Sequence, residues 1–219
     1  MWMLFIKPAR GLGVLALCLG LVACAHQSST PTQPHSSPTP MGIKNTISQH
    51  IAVPPASAKA EREARRAAPQ FQQALANMAQ QKPQEAQQLL EALAQEYPRL
   101  AGPLVNLGLL HLQAGNPELA EQALEEALKR HPHHPYAHGY LGVTHTHLGH
   151  FKRAESHYLK AIALAPQYEE AHKNLGILYE LYLQQPQNAL KHYQQYQALQ
   201  ADPDPQVAEW ISLLQQERG

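Results

Sequence analysis

Leu104-Val105-Asn106-Leu107-Gly108-Leu109-Leu110-His111 opens a pattern that the chain then repeats. Leu107-Gly108 returns as Leu141-Gly142 and again as Leu175-Gly176, each 34 residues after the last. Ala120 and Ala154 keep this spacing, as do Ala127 and Ala161, and as do Pro98, Pro132 and Pro166. Several columns with one period mark a stacked architecture, in which no single unit can bury its apolar face alone. Each column has a physical reason. A glycine in the first helix lets the second approach closely, with Ala120, Ala154 and Ala189 as small partners in that contact. Gly115-Asn116-Pro117 and Leu148-Gly149-His150 read as turns between helices. Pro132 and Pro166 end the second helices, because a residue preceding proline is pushed away from α geometry.

This set of columns resembles the tetratricopeptide repeat (TPR) family, whose helix pairs carry Leu-Gly, Ala, Ala and Pro at these offsets. The resemblance implies an all-α fold, a right-handed superhelical stack of antiparallel helix pairs. Repeats are expected at 101–134, 135–168 and 169–203, after a degenerate unit at 67–100 that keeps Pro83, Ala86 and Pro98 but lacks Leu-Gly. Ala189 follows Ala154 by 35 residues, so a one-residue insertion is expected in the turn around Gln184-Gln185-Pro186. Asp204-Pro205 opens a capping helix at 205–218, with Val207, Trp210, Ile211 and Leu214 at helical spacing.

Composition agrees with helix and limits function. The 219 residues are rich in Ala, Leu, Gln and Glu, which lose little rotamer freedom in a helix. Seventeen basic side chains balance seventeen acidic ones, so no clustered basic surface argues for nucleic acid. Both cysteines, Cys18 and Cys24, lie near the start, leaving none for a disulfide or thiolate metal site in the repeats. No phosphate loop, paired-carboxylate cleft or metalloprotease motif is present, so neither enzyme activity nor a cofactor is expected.

Residues 1–23 read as an export signal. Lys7 and Arg10 precede an apolar run over 11–23, too short to cross a bilayer and of the right length for a signal-peptide core. The run ends in Leu21-Val22-Ala23-Cys24, which resembles the bacterial lipobox. That resemblance implies diacylglyceryl transfer to the Cys24 thiol, cleavage before it and acylation of the new amine. An uncleaved anchor, or ordinary cleavage after Ala23 or Ala25, is the alternative. Several acyl chains give firm attachment where one gives marginal binding. Ala25, where aspartate would signal retention, points by the same resemblance to the outer membrane, facing the periplasm. Residues 24–60 then form a Ser/Thr/Pro-rich tether, too polar to bury a core. As a coil, the segment after Cys24 would reach roughly 30–35 Å. The folded domain is expected from 61 to 219, with a short helix conceivable around Ala58–Ala68.

The family binds protein partners on the concave face of its first helices. At steps of three and four, Asn106, Leu109 and Gln113 share that face, as do Tyr136, Tyr140, Val143 and His147, and Lys173, Asn174 and Ile177. The alternative is that these side chains pack against neighbouring repeats. Some relatives grip a C-terminal carboxylate there with several cations. Here Lys173 is the single cation and Tyr140 interrupts the set, so the expected occupant is an extended peptide or helix of another envelope protein. A membrane-tethered scaffold or assembly adaptor is the function this implies, similar to repeat lipoproteins that assist pilus or secretin assembly. The other reading is a histidine-rich metal-binding protein, since eight of fourteen histidines fall within 131–157. Two or three imidazoles must converge for that. His134 and His138 have the spacing, but Pro135 lies between them; His138 and His145 stand where the family packs large side chains.

Overall fold

A computed structural model describes Pro55 and residues 57–216. The signal peptide, Cys24 and nearly all of the expected tether lie outside the described residues. Helices pair in chain order: α1 (Ala58–Ala79) with α2 (Pro83–Glu96), α3 (Gly102–Gln113) with α4 (Pro117–Arg130), and α5 (Pro135–His147) with α6 (Phe151–Leu164). The fourth pair is α7 (Glu169–Ile177), continued by a π turn (Leu178–Tyr182), with α8 (Pro186–Leu199); α9 (Pro205–Gln216) closes the stack. The described residues contain no strand, and none of their helices is long and apolar enough to cross a membrane. The fold is an all-α solenoid of antiparallel pairs.

Local chemistry explains the boundaries. Proline occupies the first turn of α2, α4, α5, α8 and α9, where its missing N–H costs nothing and its fixed φ suits the helix. Each turn within a pair contains one left-handed residue, at Gln81, Gly115, Gly149 and Gln184, with φ of 57, 75, 74 and 52°. Glycine adopts that region freely, whereas for glutamine it costs roughly 1–2 kcal/mol.

The close helix contact differs in detail from expectation. A Cβ built on Gly108, Gly142 or Gly176 would lie 2.5 Å from Leu124 Cγ, Tyr158 Cε1 or Tyr193 Cε1 respectively. The space that glycine vacates therefore holds a large side chain of the second helix. Ala120, Ala154 and Ala189 are fully buried as well, but they are not what fills it. Tyr158 and Tyr193 are themselves fully buried, and burial of such a ring contributes about 1.5–3 kcal/mol.

Two boundaries are corrected. The inserted residue of the last repeat lies in the first helix, not in the turn. The π turn takes it up, with Leu183 N–H donating to Leu178 O at 3.0 Å. From left-handed residue to buried alanine the spacing stays five residues in Gly115–Ala120, Gly149–Ala154 and Gln184–Ala189. A π turn absorbs one residue without breaking the helix. Helix α1 also starts at Ala58, inside the stretch read as tether. Ser57 Oγ accepts from Ala60 N–H at 3.2 Å. Ala60 and Ala67 then pack with Leu93 and Leu100, and Glu63 pairs with Arg99. These contacts hold the part of α1 on the N-terminal side of Pro69, where a short helix around Ala58–Ala68 was expected, and carry it into residues 58–60 of the expected tether.

Gly142→Ala should destabilise the protein by about 1–3 kcal/mol, because the Tyr158 ring has no space to retreat. Gln184→Gly should stabilise it by up to about 1 kcal/mol by relieving the left-handed backbone. Urea unfolding of the two variants against the wild type measures both.

Candidate functional site

The first helices carry the expected face, but most of it points into the stack. Leu109 is fully buried, and Asn106, Ile177, Val143, Tyr140 and Asn174 are 2, 2, 3, 5 and 8% exposed. Leu109, Tyr140, Val143 and Ile177 belong to the continuous core that runs from α1 to α9. As free partner-binding positions these six are corrected, because α3, α5 and α7 lie side by side and cover one another's flanks. Burial raises the Tyr140 hydroxyl far above its ordinary value, and Glu170 and Tyr136 add to this. Asn106 Nδ2 donates to Gly102 O at 2.9 Å, while its Oδ1 is buried without a hydrogen-bond partner.

Lys173 is half-buried and already engaged. Its Nζ lies 2.9 Å from Asp204 Oδ2, and 5.1 and 5.5 Å from the ring centres of Tyr196 and Trp210. Asp204 Oδ2 also accepts from Tyr196 Oη at 3.1 Å. Its Oδ1 receives the N–H groups of Gln206 and Val207 at 3.1 and 3.4 Å, which caps α9. Burial alone would raise the Asp204 carboxyl, but the hydrogen bond and charge of Lys173, with Tyr196 and the backbone, hold it below the usual carboxylate value. Lys173 therefore ties the last repeat to the closing helix.

What remains open is a strip. Gln113 and His147 are exposed at the ends of α3 and α5. Leu181, 34 residues after His147, is 37% exposed in the π turn. Ala79 is the exposed counterpart in the first pair. Leu181 was missed by reading faces within a helix, although the repeat spacing alone leads to it. Tyr136, half-buried, stands elsewhere, with its ring centre 4.8 Å from that of Tyr168. It borders a shallow hollow of about 660 Å³ with Pro166, Glu169 and Leu199.

Several of the described histidines are built into the stack. His134 Nδ1 accepts from Ala137 N–H at 3.2 Å and caps α5, so it does not converge with His138. His145 is 2% exposed, with its Nδ1 3.7 Å from Glu121. Burial lowers the imidazoles of His138, His145 and His172, and pushes His157 and His192 down to about 4. Among the described residues, no group of three or more His, Cys, Asp or Glu side chains is placed to hold a metal ion.

The geometry defines a class: an α-solenoid of helix hairpins, three of them closed by a large side chain seated on a glycine. Residues 70–99 and 105–169 each match a tetratricopeptide repeat family model. These two segments are tetratricopeptide repeats, and the described residues have the all-α solenoid fold of such repeats. The fold is similar to that of PilF from Pseudomonas aeruginosa, with a TM-score of 0.64 at 18% identity over 71% of this chain and 70% of that one. TTC0263 from Thermus thermophilus gives 0.58 at 20%, covering 70 and 83%. MamA from Desulfovibrio magneticus RS-1 gives 0.58 at 18%, covering 74 and 86%. At these identities the likeness is one of fold. No curated protein sequence matches the chain.

Lys173→Ala should raise amide exchange in α9 by roughly tenfold while leaving α3 and α4 unchanged, because a partly buried ion pair on two rings is worth about 1–2 kcal/mol. Hydrogen-exchange mass spectrometry reads both regions in one experiment.

Proposed function

We propose that the protein is a lipid-anchored scaffold of the bacterial cell envelope, fastened through Cys24 and holding a segment of another envelope protein on its repeat stack. The observation that carries this is the joining, in one chain, of Leu21-Val22-Ala23-Cys24 to a tetratricopeptide stack. Repeat solenoids act by presenting long surfaces to partners, and a multiply acylated cysteine holds such a surface at a membrane. Ala25 favours the outer membrane on its periplasmic side. The contact strip is the column Gln113, His147 and Leu181. Its amide, imidazole and aliphatic side chains suit a peptide or helix with both polar and apolar groups. A charged-terminus clamp has no support, since the single cation of the set is spent on Asp204.

Cys24→Ser should move the protein from the membrane to the soluble fraction and abolish incorporation of a labelled fatty acid. Retention of both in the variant would remove the anchor. A photo-crosslinking residue at 113, 147 or 181 in living cells should trap one common protein, and the same residue at exposed Leu159 on α6 should not. Crosslinks of equal yield from 159 would remove the strip.

A further inference from the structure

The second and third repeats each contain the same histidine pair, one ring buried and its partner half-buried. His138 Nδ1 lies 3.1 Å from His157 Nδ1, and His138 Nε2 lies 3.0 Å from Pro132 O. His172 Nδ1 lies 3.1 Å from His192 Nδ1, and His172 Nε2 lies 3.2 Å from Pro166 O. The three positions recur at the repeat period, with the extra residue of the last unit falling between His172 and His192. The first repeat has Leu104 and Ala123 at the corresponding places, so the device belongs to two units only.

The carbonyls assign the protons. A carbonyl oxygen only accepts, so Nε2 of His138 and of His172 carries hydrogen. In the neutral ring, Nδ1 is then the lone-pair nitrogen. Each partner must therefore donate from Nδ1, which puts His157 and His192 in the Nδ1–H tautomer. The result is a directed chain from the second helix, through the first helix, to the connection from the preceding repeat. His138 and His172 are 7 and 6% exposed, so little water competes for these bonds.

We propose that these two pairs are proton-operated clips, which hold α5 to α6 and α7 to α8 when neutral and part them when both rings of a pair are protonated. One added proton fits on Nε2 of His157 or His192 and leaves the inter-ring bond intact. The second must go to Nδ1 of His138 or His172. Two N–H groups then face each other across 3.1 Å between two positive rings. The bond to the proline carbonyl survives, so the hairpin opens between its helices and not at the loop.

The surroundings resist the charge. His157 faces His138 and His145 on α5, with Arg153 and Lys160 on its own helix. Around His138, Lys160 and His133 act in the same sense. Glu121 and Glu125 of α4 bear on His145, favouring its charge, and His145 in turn opposes charge on His157. His192 lies beside Lys191 and against the Tyr179 ring, 5.6 Å between centres. Burial, first, and these neighbours lower His157 and His192 from 6.5 to about 4 in the folded protein. The sign follows: the unfolded chain takes up protons first, so the stabilisation is whole above about 6.5 and is lost as pH falls from there toward 4. Acidification thus parts the helices of the second and third repeats through a pair that the first repeat does not contain.

Nitrogen-15 spectra of the imidazoles in the full chain at about pH 7.5 test the proton assignment directly. His138 and His172 should be Nε2–H and His157 and His192 Nδ1–H; the reverse tautomer in either pair overturns the proposal. Hydrogen exchange at about pH 5, corrected for the intrinsic rate, should then be roughly tenfold faster relative to neutral pH in α5–α8 than in α3–α4. The variant His138→Leu/His157→Ala/His172→Leu/His192→Ala, which copies the first repeat, should lose that difference. Uniform acceleration from α3 to α8 in the wild type, or the same regional difference in a folded variant, also overturns it. The tautomer measurement stands if the variant does not fold.

Discussion

Three of the four hairpins close because a ring or branched side chain of the second helix rests on a glycine of the first. Leu124 on Gly108, Tyr158 on Gly142 and Tyr193 on Gly176 are one contact made three times. The glycine costs the helix about 1 kcal/mol of propensity, and the buried side chain that fills its place more than offsets this. Everything else is arranged around that distance. The alanines at 120, 154 and 189 sit where the helices stay close, and the left-handed residues at 115, 149 and 184 return the chain at a fixed number of residues before them. When a residue is added in the last unit, the contact is kept and the helix changes its winding instead.

Much of this was legible in the residues. Leu-Gly, Ala and Pro columns locate three pairs because backbone approach and helix termination leave few residue types to choose from. The closing helix was legible through Val207, Trp210 and Leu214, which are buried at helical spacing. The π turn was not, since a one-residue insertion looks the same in sequence wherever it falls between two fixed columns. The first turns of α1 were legible as a short helix around Ala58–Ala68, but not as one helix with the residues after Pro69. Alanines and charges carry no strong period, and it is Leu93, Leu100 and Arg99, far along the chain, that hold them.

The candidate surface was half legible. Helical spacing correctly groups Asn106 with Leu109 and Tyr140 with Val143, but a shared face says nothing of how deeply the neighbouring helices cover it. Side-by-side packing of α3, α5 and α7 takes those residues into the core and leaves the column at 113, 147 and 181 outside. Lys173 shows the same effect in charge: a cation on the expected face is matched by Asp204, thirty-one residues away, which caps the last helix. The histidines divide likewise between a cap at His134, packed rings at His138, His145 and His172, and an exposed position at His147.

The second and third repeats are held by a glycine-to-ring contact, and nuclear Overhauser effects observe it directly. The α-protons of Gly142 and Gly176 should show strong cross-peaks to the ring protons of Tyr158 and Tyr193 respectively, with chemical shifts displaced by the rings they lie against. Absence of those cross-peaks in the folded protein, with the tyrosine rings instead contacting solvent or another repeat, would contradict the account.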